Sequence, residues 1–221
     1  MFEVIGRLCA HRLLFLSENV FHKSNRFWSK KGLVIGFGYT ELSAESDKSL
    51  HGFQDEDYWL FFGRATAYKG IDCLAKALPL IDKKINIVIA STGVTEAIKR
   101  QFEPHDNVTL IDRWITDPEL CRLLNRSSGI LLPYTDVSQS GPLYLAIGHR
   151  KPIIASNIPE FGILAKKITS IRLFLSGDNI DFANTINDHH PKVKKISIEA
   201  YNSIRSDCSW NVVAKRLMEI S

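Results

Sequence analysis

Arg64 and Lys69 stand five residues apart in the stretch Trp59 to Leu74, WLFFGRATAYKGIDCL. An apolar run ends at Gly63-Arg64, and Lys69-Gly70 come just before a helical pattern, so both cations fall on one short loop. Like charges held that close repel each other unless an anion joins them. A diphosphate suits the pair, because the planar guanidinium of Arg64 forks onto phosphate oxygens while Lys69 acts as a point charge. A solvated basic loop is the plainer alternative. The second chemical stretch is Leu131 to Ser156, LLPYTDVSQSGPLYLAIGHRKPIIAS. An apolar strand end stops at Pro133, a small polar loop follows, and Ser140-Gly141-Pro142 opens a short apolar helix. Proline suits a first helical turn, where its missing amide is no loss. The free amides around Ser140 to Leu143, with the positive end of the helix dipole, form a natural anion site. A capped helix in an ordinary β–loop–α–β unit accounts for the same residues without a ligand.

The elements that must carry these loops alternate along the chain. Apolar runs at Tyr58 to Phe62, Ile85 to Ala90, Val108 to Ile111, Pro152 to Ala155 and Ile171 to Leu175 read as strands. Between them, Ile71, Leu74, Ala75 and Leu78 mark one helix face, and Thr95 to Phe102 reads as another helix. Asp117-Pro118 starts a helix carrying Leu120, Leu123 and Leu124, a short one follows Pro159, and the tail from Asp178 to Ile220 reads as helices. Strands that are apolar on both faces and alternate with helices predict an α/β fold, a doubly wound parallel sheet flanked by helices. Ligands of such sheets bind beyond the carboxyl ends of the strands, where both candidate loops lie. Further upstream, Phe2, Ile5, Leu8 and Cys9 recur at helical spacing, Leu13 to Leu16 and Leu33 to Ile35 are strand-like, and Tyr39 to Gln54 is polar and irregular. The division this predicts is a first segment over 1–40, a linker over 41–57 and the α/β domain over 58–221.

A chain of 221 residues with 45% hydrophobic content can bury a sizeable core. The net charge of +4 suits an anionic ligand or peripheral contact with the inner face of a membrane, but the scattered Lys and Arg do not suggest nucleic acid. Four cysteines (Cys9, Cys73, Cys121, Cys208) lie far apart with no C-x-x-C, as expected of buried thiols in a reducing compartment. The start resembles no signal peptide and no apolar run spans a bilayer, so a cytoplasmic location is expected.

In their order the motifs resemble the retaining glycosyltransferases of the GT-B fold, the large nucleotide-sugar family. GRATAYKGID is similar to that family's G-R-x(n)-K-G element, and PYTDVSQSGPLYLAIGHRKPIIAS to its donor loop, helix and strand, in the variant reading T-Q-S-G. Ile111 to Leu124, IDRWITDPELCRLL, resembles its base-pocket loop, and Cys208-Ser209-Trp210 its C-terminal S-W helix. Leu14 to Ser17 with Glu18, then Val34 to Gly38, look like the end of the acceptor domain and the crossing to the donor domain. The resemblance implies a Rossmann-like donor domain, a nucleotide-diphosphate sugar as substrate, and a role in polysaccharide or glycoconjugate assembly. It implies that Arg64 and Lys69 hold the diphosphate and neutralise the leaving group. Ser140 and Gly141 would offer amides to the same phosphates, the backbone at Arg113, Trp114 and Ile115 would bracket the base, and Pro133 and Tyr134 would line the ribose side. No cofactor or metal ion is implied, since Arg and Lys meet the phosphate charge.

Two departures qualify this. The family's E-x7-E glutamates fall at Val137 and Leu145, which accept no hydrogen bond; Gln139 or Asp136 is the nearest replacement for sugar and ribose contacts. The chain also begins near the end of the acceptor domain, so the expectation is a donor half that binds but does not transfer alone. Two other readings stay open: a non-catalytic donor-binding or interaction subunit of a split or degenerate transferase, and a GT-B nucleotide-sugar epimerase. An unpartnered apolar surface over 2–15 is expected to seat a separate acceptor-domain subunit or a second copy. Asp55-Glu56-Asp57 precedes its strand instead of following it, Gly36-x-Gly38 lacks a third glycine, and His189-His190 lacks ligand partners, so no metal or dinucleotide site is expected from them.

Overall fold

A computed structural model of the chain describes residues 12–15, 21–22, 24, 30, 32–34, 57–137, 140–192 and 194–219. They belong to two compact units, Met1–Tyr39 with Asn202–Ser221, and Thr40–Tyr201. In the first unit β1 (Leu13–Phe15) pairs in parallel with β2 (Gly32–Val34), Leu14 opposite Leu33. The Phe15 and Phe21 rings meet edge to face at 5.3 Å. The expected helix over Phe2–Cys9, most of the expected apolar surface over 2–15, the crossing at 35–38 and the linker up to residue 56 lie outside the described residues.

The second unit is built on six parallel strands: β3 (Tyr58–Arg64), β4 (Asn86–Thr92), β5 (Val108–Asp112), β6 (Gly129–Leu132), β7 (Ile153–Ser156) and β8 (Ile171–Phe174). Their spatial order is β5-β4-β3-β6-β7-β8, with Phe61 opposite Ile89 and Leu60 opposite Ile130. Between them run α1 (Ile71–Ala77), α2 (Glu96–Phe102), α3 (Asp117–Arg126), α4 (Gly141–Gly148) and α5 (Pro159–Ala165). After β8 come α6 (Asn179–His189) and the start of α7 (Ile198–Cys208); the rest of α7, from Asn202, and α8 (Trp210–Met218) belong to the first unit. The expected doubly wound parallel sheet is what the residues form.

The central strands are buried on both faces, which is why they read as unbroken apolar runs. Trp59, Phe61, Ile87, Ile89, Leu131 and Ile154 pack with Leu74 of α1 and with Phe182 and Ile186 of α6 in one core. Each such fully buried side chain contributes about 1.5–3 kcal/mol of transfer free energy. The intervening Leu60, Val88, Ile130 and Ile153 are equally enclosed. Helix starts follow their sequence signals: Thr95, Thr116, Ser140, Asp178 and Ser209 each accept a hydrogen bond from a first-turn amide. α1 stops one residue short of Leu78, which begins a 3-10 turn over Leu78–Leu80, because Pro79 has no amide to continue the α-helical ladder. β8 ends at Phe174, since the Leu175 amide donates to the Asp181 carboxylate at 2.6 Å instead of to a neighbouring strand. No helix among the described residues is long and apolar enough to cross a membrane.

Candidate functional site

From β3 the chain winds outward through β4 to β5, then returns to β6 and winds the other way through β7 to β8. The reversal opens a crevice beyond the carboxyl ends of β3 and β6. Arg64 ends β3, and Pro133-Tyr134 follow β6 directly.

The loop after β3 is tightly made. The Ala65 amide donates to the Thr92 carbonyl at 2.9 Å, and a 3-10 turn over Ala67–Lys69 follows. It closes at Gly70, whose φ of 73° favours glycine. A side chain at Gly70 would collide with the carbonyl of Pro133. The Thr135 amide donates to the Tyr68 carbonyl at 2.8 Å, so the loops after β3 and β6 are laced together.

Lys69 folds back over this junction. Its ammonium fills the space where a Gly63 side chain would stand and lies 5.8 Å from the centre of the Tyr134 ring, a cation–π contact. Burial lowers its pKa, and the positive charge of Arg64 lowers it further. Neither Arg64 nor Lys69 has a carboxylate partner among the described residues. Tyr134 is enclosed between Tyr68 and Phe161, with ring centres 6.2 and 5.6 Å away. Its hydroxyl is fully buried beside the Ser140 side chain without completing a hydrogen bond. Burial raises its pKa, Ser140 opposes that rise, and Tyr68 adds to it.

Ser140 is itself buried and caps α4, its Oγ accepting from the Leu143 amide at 3.1 Å. Pro142 has no amide and the Leu143 amide is taken by Ser140, so among the described residues the amides of Ser140 and Gly141 are the ones left without a partner. Nothing lies within 4 Å of where a Gly141 side chain would stand. The sequence reading of free amides from Ser140 to Leu143 is narrowed accordingly.

Beside the cations lies a pocket of about 280 Å³. Gly63, Arg64 and Thr92 line one side, and Trp114, Ile115 and Leu120 the other. The Trp114 side chain is 75% exposed. Arg113 also borders the pocket, but its guanidinium is committed, forking onto Glu119 at 2.7 and 3.1 Å. Glu119 completes a capping box with Thr116. The Arg113 guanidinium and the Thr116 amide hold its carboxyl down to about 2. Arg113 therefore braces the loop through its side chain, which is already committed to Glu119. Two unpaired cations, an open helix amide and an apolar pocket with an exposed indole suit an anion joined to a planar ring.

The family model for Glycosyl transferases group 1 matches residues 56–189, more than half of the chain. The chain belongs to the group 1 glycosyltransferases. No curated protein matches it. Among solved structures its fold is similar to Anabaena Alr3699/HepE in complex with UDP and glucose, with a TM-score of 0.78 and 14% identity over 98% of this chain and 64% of that one. It is also similar to sucrose-phosphate synthase from Thermosynechococcus elongatus, with a TM-score of 0.75 and 17% identity over 98% of this chain and 60% of that one. A third likeness is to a mutant of S. aureus TarM in complex with fondaparinux, α-GlcNAc-glycerol and UDP, with a TM-score of 0.77 and 14% identity over 99% of this chain and 45% of that one. At such identities the likeness establishes the fold, the Rossmann-like GT-B architecture. The chain spans less than two thirds of the length of each of these structures.

In this group 1 glycosyltransferase, the expected site residues fall into two adjoining sets. Arg64, Arg113, Trp114 and Ile115 border one pocket. Lys69, Pro133, Tyr134, Ser140 and Gly141 belong to the laced loops and the α4 start beside it. Gln139 lies outside the described residues. Val137 is buried and Leu145 half-buried, and neither brings a carboxylate. Glu119 was not anticipated from the sequence, although Thr116-x-x-Glu119 carries the capping-box spacing that signals it. Nor was Glu160, a buried carboxyl in the first turn of α5 whose pKa is raised by burial. Asp57, the described member of the D-x-D, accepts from the Ser128 hydroxyl at 2.6 Å. Cys73 is buried, which pushes its thiol up to about 11 and leaves it unreactive.

Proposed function

We propose that this chain is the donor-binding portion of a nucleotide-sugar-dependent, retaining, metal-independent transferase of polysaccharide or glycoconjugate assembly. One observation carries the reading: Arg64 and Lys69 share the loop at the sheet's switch point, near enough for Arg64 to depress the Lys69 pKa, with no carboxylate partner among the described residues, beside the start of α4 and an aromatic-lipped pocket. The similar Alr3699/HepE was solved with UDP-glucose, which supports a nucleotide sugar as the ligand. In this reading the base enters between Trp114 and Arg64, and the diphosphate lies across Arg64, Lys69 and the Gly141 amide. As the glycosidic bond breaks, charge grows on the departing diphosphate and both cations bind it more strongly than in the ground state. Lys69 then regains the proton affinity that burial and Arg64 take from it.

Titration calorimetry with UDP, GDP, ADP and their sugars tests this, run with and without EDTA. Saturable binding of at least one, insensitive to EDTA and lost in Arg64→Ala, is the expected result. No heat from any nucleotide diphosphate would overturn the proposal.

A second reading is favoured by Val137 and Leu145, which leave the sugar and ribose hydroxyls without the usual glutamates: a donor-binding subunit that performs no transfer. Release of free sugar from a bound donor separates the two, since a site that activates the bond hydrolyses it slowly and a binding subunit does not.

A further inference from the structure

A second cavity, of about 220 Å³, opens at the opposite, amino end of the sheet. Trp59 and Ile153, at the starts of β3 and β7, lie beneath it, both almost fully enclosed. Arg172 on β8, His189 in the last turn of α6, and Lys192 and Lys194 beyond it line the rest. Trp59 and Arg64 stand at opposite ends of β3, about 16 Å apart at 3.3 Å per residue, so this cavity is separate from the donor crevice.

Its walls are fixed. The Trp59 indole N–H donates to His190 Nδ1 at 3.2 Å. At the far end of the segment the Ile196 amide donates to the Arg150 carbonyl at 3.1 Å, and Arg150 Nε donates to the Ile196 carbonyl at 2.9 Å. His190 and Ile196, on either side of Lys192 and Lys194, are thus each held by hydrogen bonds. Arg172 Nη1 donates to the Thr169 carbonyl at 2.7 Å, which holds the guanidinium at the cavity and leaves its other N–H groups available.

The charge is one-sided. No carboxylate lines the cavity, and Arg172, Lys192 and Lys194 form no ion pair among the described residues. The negative end of α6 attracts cations only within its last turn. It does not account for Arg172, which comes from an edge strand, or for Lys194 further along.

We propose that this cavity binds a phosphate monoester on a small carbon body. Such a group carries close to two negative charges at neutral pH, matching the cations, and its planar Arg partner allows a forked contact. A volume of about 220 Å³ is more than a bare phosphate fills, so an ester carrying a small carbon body fits the cavity better than inorganic phosphate does. A soluble phosphate ester and the exposed headgroup of a phosphatidic acid share this chemistry.

The test uses the full chain and the double variant Arg172→Ala with Lys194→Ala. Both side chains are exposed, and circular dichroism with thermal unfolding confirms that the fold is kept. Glycerol 3-phosphate and phenyl phosphate are titrated by calorimetry beside inorganic phosphate and sulfate, and flotation is run with phosphatidylcholine vesicles with and without phosphatidic acid. The expected result is saturable binding of a monoester, tighter than either inorganic anion and about tenfold weaker in the double variant. If the source is a lipid, flotation depends on phosphatidic acid and is lost in the double variant. The proposal is overturned if neither monoester nor phosphatidic acid vesicles bind, if sulfate binds equally well, or if the double variant binds as wild type does.

Discussion

Gly70 and Pro133 meet backbone to backbone: Gly70, at a φ of 73°, leaves no room for a side chain beneath the Pro133 carbonyl. Together with the 2.8 Å bond from the Thr135 amide to the Tyr68 carbonyl, this seats the loop after β3 on the loop after β6. The cation–π contact between Lys69 and Tyr134 is therefore set by the junction of two loops, neither of which could place it alone.

A methyl group at this junction is expected to be costly. Gly70→Ala combines a left-handed backbone with a collision against a carbonyl, and should lose about 2–4 kcal/mol in urea unfolding. Gly141→Ala, where a side chain meets open space, should stay within about 0.5 kcal/mol of wild type. Equal stability of the two variants would mean the loops are not locked by this contact.

Lys69 should cost stability in the unliganded protein. Burial and Arg64 hold its folded pKa below the usual 10.5, so the unfolded chain binds that proton more tightly. Its contribution to stability therefore rises as pH climbs from the folded pKa towards 10.5, and is least where Lys69 is fully charged. Lys69→Met is expected to raise Tm at pH 7 by about 1–3 °C and to remove this part of the pH dependence. The same variant should lose any Tm increase caused by UDP. A lower Tm without ligand would show that the cation–π contact outweighs the repulsion.

Much of this arrangement was legible in the sequence, for physical reasons. Tyr58–Phe62 and Ile85–Ala90 announce buried parallel strands because both faces are apolar, and Ser140-Gly141-Pro142 announces a helix start because its donors must be capped. The order of the GRATAYKGID and QSGPLYL stretches sufficed to put Arg64 and Ser140 at one end of one sheet. What was hidden depends on contacts between distant residues. That the Arg113 side chain is spent on Glu119, that Lys69 lies over Tyr134, and that Ser140 already occupies the Leu143 amide are choices made by folded loops. The amino-end cavity joins Trp59 to Arg172 and Lys194, residues with no common period or motif.

Glu119 should make the protein acid-sensitive. Its carboxyl is held at about 2 against an ordinary 4.5, first by Arg113 and then by the Thr116 amide. Its stabilisation is present above 4.5 and is lost as pH falls from there towards 2. Glu119→Gln should cost about 1–2 kcal/mol at pH 7, less than a fully buried pair would because the Arg113 side chain is half-exposed. The gap between wild type and variant should narrow in urea titrations by roughly a quarter at pH 4 and by roughly 60% at pH 3. A gap that holds constant down to pH 3 would assign the effect to packing and not to charge.

Trp114 should matter for the ligand and not for the fold. An indole that is 75% exposed at the lip of a pocket adds little to packing, so Trp114→Ala should unfold within about 0.5 kcal/mol of wild type. If the base of a nucleotide diphosphate stacks there, the lost contact of about 1–2 kcal/mol weakens UDP roughly five- to thirtyfold. Trp114→Phe keeps an aromatic face and should recover most of that affinity. Inorganic pyrophosphate, which has no base, should bind wild type and Trp114→Ala alike through Arg64 and Lys69. Calorimetry with both ligands on all three proteins separates the aromatic contact from the cationic one. UDP binding unchanged in Trp114→Ala would place the base away from this pocket while leaving the diphosphate site intact.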